Sequence, residues 1–160
     1  LGDMVLGVNC KFLINGISGY WIFTSAVNKP MMVGDSFEFA FFDDTNIAHV
    51  KQSISVLRLL RRKSDSKKIS FAEIAVGGSK LAADKLLTSL GLELVPNTPE
   101  EILNAVIEMN DWVNGKLELS EHDEELQTKF YNCYPPETRL EKNPLVRISP
   151  SFLRKYQDLL

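Results

Sequence analysis

The stretch that decides the fold is KFLINGISGYWIFTSAVNKPMMVGD, Lys11 to Asp35. It passes from an apolar run through a turn with two glycines into a second apolar run, and ends in a short strand closed by Gly34 and Asp35. Phe12, Leu13 and Ile14 are apolar without alternation, the pattern of a strand covered on both faces, as in a parallel sheet. Such a strand needs helices packed against it. Tyr20 to Val27 is apolar almost all round and reads as a helix buried in an α/β layer, with Asn28 as its end. Lys29 and Pro30 link it to a second parallel strand, Met31 to Val33, with Gly34 and Asp35 as its C-terminal turn. In open α/β sheets ligands gather at the C-terminal edge of the strands, so Asn15 to Gly19 and Gly34 to Asp35 are expected on one edge.

The turn after the first strand has a definite chemistry. Gly16 and Gly19 permit positive φ and let another group approach the main chain, and the residues after them start a helix whose first amides lack internal partners. Those amides and the positive end of the helix dipole attract phosphate oxygens. Ser18 adds a hydroxyl beside them. The same glycines and serine also serve geometry alone in strand-to-helix turns, so the motif by itself leaves both readings open.

Outward from this stretch, Met4, Val5 and Val8 stand at helical spacing ahead of the first strand. Phe37, Phe39, Phe41 and Phe42 crowd before Asp43 and Asp44. Paired aspartates hold divalent ions in many transferases, but no third ligand stands nearby and carboxylates suit a helix start, so no metal site is expected. His49 and His122 are isolated. Ile47, Val50, Ile54, Leu57 and Leu60 follow a helical stripe, which predicts a helix ending in the cations Arg58, Arg61, Arg62 and Lys63. Ser64, Asp65, Ser66, Lys67 and Lys68 follow. This run reads as a solvated face, or as an attractor for an anionic donor, a lipid-phosphate acceptor or an acidic membrane surface.

Ser70 to Glu73 fits a capping box for a short helix that stops at Gly77 and Gly78. Ser79 begins another, with Leu81, Leu86, Leu87 and Leu90 inward and Gly91 as its stop, and Leu92 to Val95 is the next strand. Thr98, Pro99, Glu100 and Glu101 then make a close match to an ideal helix start, with Ile102, Val106, Met109 and Val113 on the buried face. Glu108 is expected on the exposed side. Ser120 caps an acidic helix carrying Leu126, Phe130 and Tyr134, which Pro135 and Pro136 end. Residues 137–148 read as an extended linker, and Ser149 with Pro150 opens a last helix bearing Phe152, Leu153, Tyr156 and Leu160.

Composition narrows the classes. The 160 residues are 44% hydrophobic and 24% charged with a net charge of −3, ordinary globular values that call for no nucleic-acid partner. Cys10 and Cys133 are no disulfide framework, which favours a reducing, cytoplasmic setting. Leu1 to Val8 has no signal-peptide pattern, and no apolar run approaches the ~20 residues of a membrane helix.

The order FLINGISGYWIF, NKPMMVGD, ISFAEI, GLELVPNTPEEILNAVIEMNDWVNG and RISPSFLRKYQDLL resembles the C-terminal half of a bacterial glycosyltransferase family associated with surface-polysaccharide synthesis. Segments 36–68 and 116–144 match it poorly. That family is similar to the GT-B glycosyltransferases, whose C-terminal Rossmann-like domain binds a nucleotide sugar with a Ser-Gly turn close to the donor diphosphate. Here that turn would be Ser18 and Gly19. Heptosyltransferases and related enzymes often carry an aspartate or another polar residue just before the pair, where this chain has Ile17, so backbone amides are left as the donors.

The resemblance implies a Rossmann-like, mainly parallel sheet with helices on both faces over residues 1–115, and a helical C-terminal extension over 116–160 packed on it. Its last helix would reach across a cleft to another lobe. It further implies a donor site of Asn15, Gly16, Ser18, Gly19, Tyr20, Asp35, Asn97 and Thr98. The substrate would be a nucleotide-diphosphate sugar, with no other cofactor, and the acceptor a glycan or a lipid-linked glycan, in the cytoplasm or at the inner face of the membrane. Because the chain starts at Leu1 and matches only a second half, an N-terminal lobe carrying the catalytic base is expected outside it. A nucleotide-sugar epimerase and a non-catalytic Rossmann-like module are the alternatives.

Overall fold

The computed structural model describes residues 9–15, 29–36, 52–71, 84–133 and 146–160. In chain order these form β1 (Leu13–Asn15), β2 (Met31–Ser36), β3 (Ser53–Leu57), β4 (Leu59–Arg62), α1 (Asp84–Ser89), β5 (Leu92–Val95), α2 (Pro99–Val113), α3 (Glu121–Asn132), β6 (Val146–Ile148) and α4 (Pro150–Lys155), then a 3-10 turn at Gln157–Leu159. β1, β2, β3 and β6 make a four-stranded sheet in that order, every pair parallel. β4 and β5 form a separate antiparallel ribbon. The fold is therefore α/β.

β3 is the centre of the sheet and a correction to the sequence reading. The stripe of Ile54, Leu57 and Leu60 predicts a helix over 47–60, but residues 53–57 and 59–62 are strands. All five residues of β3 are buried, Ser53 and Ser55 included, so this is a strand enclosed on both faces. Two serines in place of aliphatic residues broke the apolar run, and the remaining apolar positions coincided with a helical period.

The neighbouring strands bring further corrections. β2 runs on to Ser36, so Gly34 and Asp35 lie within a strand whose pairing shifts between Val33 and Ser36, not in a turn after it. Gly34 is needed for close packing: a Cβ there would stand 2.9 Å from Cδ1 of Ile102 on α2. Ile14 is 58% exposed rather than covered on both sides, since β1 is an edge of the described sheet. Val146–Ile148, read as the end of a linker, is the sheet's fourth strand, so the chain beyond residue 115 adds a strand as well as helices. Leu90, expected to point inward, is 52% exposed, whereas Leu87 is buried.

α2 lies against the sheet with Met109 of its predicted stripe fully buried and Ile102, Val106 and Val113 partly so, while Ala105, outside that stripe, is fully buried as well. Its far end reaches the start of β1, where Lys11 Nζ donates to Asn114 Oδ1 at 2.9 Å. α2 thus runs opposite to the strands. α4 runs opposite to α2 in turn: Ser149 and Ser151 meet Glu108, and Lys155 and Tyr156 meet Glu101, two helical turns earlier. Phe130 of α3 and Phe152 of α4 close the core around Phe71, the Phe71 and Phe130 rings meeting edge to face at 5.4 Å. The last helix is packed on α2 and α3 of its own chain.

Candidate functional site

The ends of the parallel strands define the candidate edge. Asn15 closes β1, Asp35 is the last residue but one of β2, and Leu57 closes β3. Asn97 joins them because its Nδ2 donates to the Leu57 carbonyl at 2.8 Å. Thr98, next in sequence, is the N-cap of α2, so the positive end of that helix sits at the same edge. Four of the expected donor-site residues, Asn15, Asp35, Asn97 and Thr98, therefore share one edge. Gly16, Ser18, Gly19 and Tyr20 lie outside the described residues, as do Ile17, Asp43, Asp44 and His49.

The N-terminus of α2 has little left to offer a ligand. Thr98 Oγ1 accepts from the Glu101 amide at 3.2 Å, and the Thr98 amide donates to Glu101 Oε2 at 2.9 Å, a complete capping box. The Ile102 amide is spent on the Thr98 carbonyl, and Pro99 has no N–H. Glu100 and Glu101 add negative charge beside the end. Asn97 and Thr98 thus shape the edge.

Sequence reasoning assigned Glu101 only to the helix start and missed its second role. Its Oε1 accepts from Lys155 Nζ and from the Tyr156 hydroxyl, each at 2.6 Å. Burial works to raise the Glu101 carboxyl, but the bonds from Lys155, Tyr156 and the Thr98 amide outweigh it and hold the group below its usual range. The same bond to Glu101 raises the Lys155 ammonium. Burial, reinforced by the Glu101 carboxylate, raises the Tyr156 phenol. The ring of Tyr156 also carries the ammonium of Lys68 at 4.5 Å from its centroid and that of Lys155 at 5.3 Å. The partners are 54 and 55 residues away in sequence, a separation no local pattern reveals.

Glu108 departs from expectation in the same way. Instead of facing solvent alone, it accepts from Ser149 Oγ at 2.5 Å and from the Ser151 amide at 2.8 Å, capping α4 from another helix. His122 is half-exposed on α3, 3.8 Å from Glu125. Burial pushes the Cys133 thiol up, away from the reactive thiolate. Among the described residues no three His, Cys, Asp or Glu side chains group as metal ligands, and no helix is long and apolar enough to cross a membrane.

No family model, curated protein or solved structure matches this chain.

Proposed function

We propose that this chain is the donor-binding half of a GT-B glycosyltransferase, with a Rossmann-like sheet covered by helices on both faces. It would transfer a sugar from a nucleotide-diphosphate sugar to a glycan or lipid-linked acceptor in cytoplasmic steps of surface-polysaccharide synthesis. One observation carries the reading. The end of β1 that leads into Gly16 to Tyr20, the end of β2 with Asp35, and the α2 cap at Asn97 and Thr98 share one edge of a parallel sheet, the place where open α/β sheets take nucleotides. On this reading the amides of Gly16 to Tyr20 hold the diphosphate and offset the charge that grows on the leaving group. The catalytic base belongs to an N-terminal lobe.

A non-catalytic Rossmann-like module is the second reading. It is favoured by Ile17 in the turn and by the internal bonds that occupy Asn97 and Thr98.

Calorimetric titration with UDP, GDP, ADP and the free nucleosides tests the proposal. One diphosphate is expected to bind at least tenfold more tightly than its nucleoside, and Gly19→Val, which blocks the close approach, is expected to abolish that binding. Failure of every diphosphate at millimolar concentration would sink the proposal.

A further inference from the structure

The cationic run Arg61 to Lys68 is not a helix end. It is the outer part of the β4–β5 ribbon and the tight turn that follows β4. Leu59 pairs with Val95 near the sheet edge, and Arg62 pairs with Leu92 three residues further out, about 10 Å along the strand. There the chain turns through residues 63–65 and Ser66, at φ 57, and folds back so that the Arg62 amide reaches the Lys67 carbonyl at 2.8 Å. A second turn lies against it, because the Lys63 amide donates to the Gly91 carbonyl at 2.9 Å. The residue before Gly91 is Leu90, 52% exposed.

The charges at this tip are unequal in kind. Arg61 is held by Glu93 at 2.7 Å and Arg62 by Asp65 at 3.0 Å. Lys63 and Lys67 are exposed and make no ion pair among the described residues. Arg61 to Lys68, with the Glu93 that holds Arg61, carries five cations and two carboxylates, and removing these from the chain's 18 basic and 21 acidic residues leaves 13 against 19, a net −6. A protein so divided orients its ribbon toward any negative surface and turns the rest away.

We infer that the tip of the ribbon docks on an anionic lipid bilayer, Lys63 and Lys67 meeting the headgroups and Leu90 entering the acyl boundary. Leu90 decides between surfaces. A soluble polyanion gains nothing from an exposed leucine, and a single-stranded nucleic acid calls for aromatic stacking platforms, which these turns lack. An interface that is charged outside and apolar beneath rewards both kinds of residue. The inference stands apart from the glycosyltransferase reading; if both hold, the bilayer brings a lipid-linked acceptor to the side of the molecule where the ribbon leaves the sheet.

Co-sedimentation of the chain with vesicles tests it. Partition is expected onto phosphatidylcholine vesicles containing phosphatidylglycerol, not onto phosphatidylcholine alone, and it should fade at molar salt. The double variant Lys63→Ser, Lys67→Ser should lower the partition coefficient on the order of thirtyfold, and Leu90→Ser about tenfold, with thermal unfolding unchanged because all three side chains are solvent-exposed. Equal partition of wild type and the double variant, or none on acidic vesicles, overturns the inference. So does a single-stranded oligonucleotide that binds as tightly as the vesicles while Leu90→Ser leaves vesicle binding unchanged.

Discussion

Gly34 stands in the middle of β2 because the sheet and α2 approach too closely there for a side chain, and a Cβ would lie 2.9 Å from the end of Ile102. Alanine would lower the entropy of the unfolded chain, a gain of about 0.4–1 kcal/mol, but the overpacking it forces costs about 1–3 kcal/mol. The crowded atom is the tip of an isoleucine, which can yield. Gly34→Ala is therefore expected to destabilise the fold by about 1 kcal/mol in urea titration. In an Ile102→Val background, which removes that methyl, the same substitution should cost close to nothing. An equal cost in both backgrounds would show that Ile102 is not what excludes a side chain.

Elements are joined by side chains that stand in for backbone. β6 is an edge strand of the sheet among the described residues, and its outward groups meet α3: the Ile148 amide donates to Gln127 Oε1 at 3.0 Å, and the Tyr131 hydroxyl donates to the Val146 carbonyl at 2.7 Å. Burial pushes the Tyr131 phenol up to about 12, so it stays a donor across the physiological range. The helix thereby closes an edge that would otherwise be open to pairing with another chain. Gln127→Met keeps the bulk and removes the acceptor, leaving a buried amide unpaired at a cost of about 1–3 kcal/mol. Hydrogen exchange at Ile148 should quicken by at least tenfold, and unchanged protection would mean that Gln127 does not satisfy that amide. These joints also mark how far the sequence can be read. The caps of α2 and α3 were legible because Thr98 stands three residues ahead of Glu101 and Ser120 opens an acidic stretch, although the answering bond from the Ser120 amide to Asp123 needed the fold. β3 was not, since its burial comes from neighbours distant in the chain, and Glu101, Glu108 and Gln127 were opaque as joints for the same reason. Of the candidate site, strand order placed Asn15 and Asp35 on one edge, whereas Asn97 and Thr98 were expected there only through the family resemblance, and the bond from Asn97 to the end of β3 needed the fold.

At the scale of the whole molecule, the C-terminal segment is fastened by carboxylates from two helices. Glu101 and Glu108 of α2 hold Lys155, Tyr156, Ser149 and Ser151, while Asp123 and Glu124 of α3 hold Arg154 and Arg147. Beneath them Phe152, Leu153 and Tyr156 are buried, so releasing the segment would uncover the core as well as break ion pairs. Glu101 and Asp123 give this arrangement a sign with pH. Burial opposes ionisation of Asp123 also, but the Ser120 hydroxyl and amide and the Arg154 guanidinium outweigh it, so both carboxyls titrate below their usual values in the folded chain. The unfolded chain then takes up protons first. The stabilisation is complete above about pH 5 and is lost as pH falls through the folded values. The alkaline side has the opposite cause: Lys155 and Tyr156 titrate above their usual values, so what they contribute is kept below about pH 10 and lost above it. Stability measured by urea midpoint is expected to be level between these limits and to fall on both sides. Glu101→Gln should lower the level part by about 1–2 kcal/mol, a figure discounted because Lys155 is 44% exposed, and should flatten both flanks together. A variant that lowered the plateau but kept the acid and alkaline slopes would place the titration in other groups and remove Glu101 as the shared anchor of α2 and the C-terminal segment.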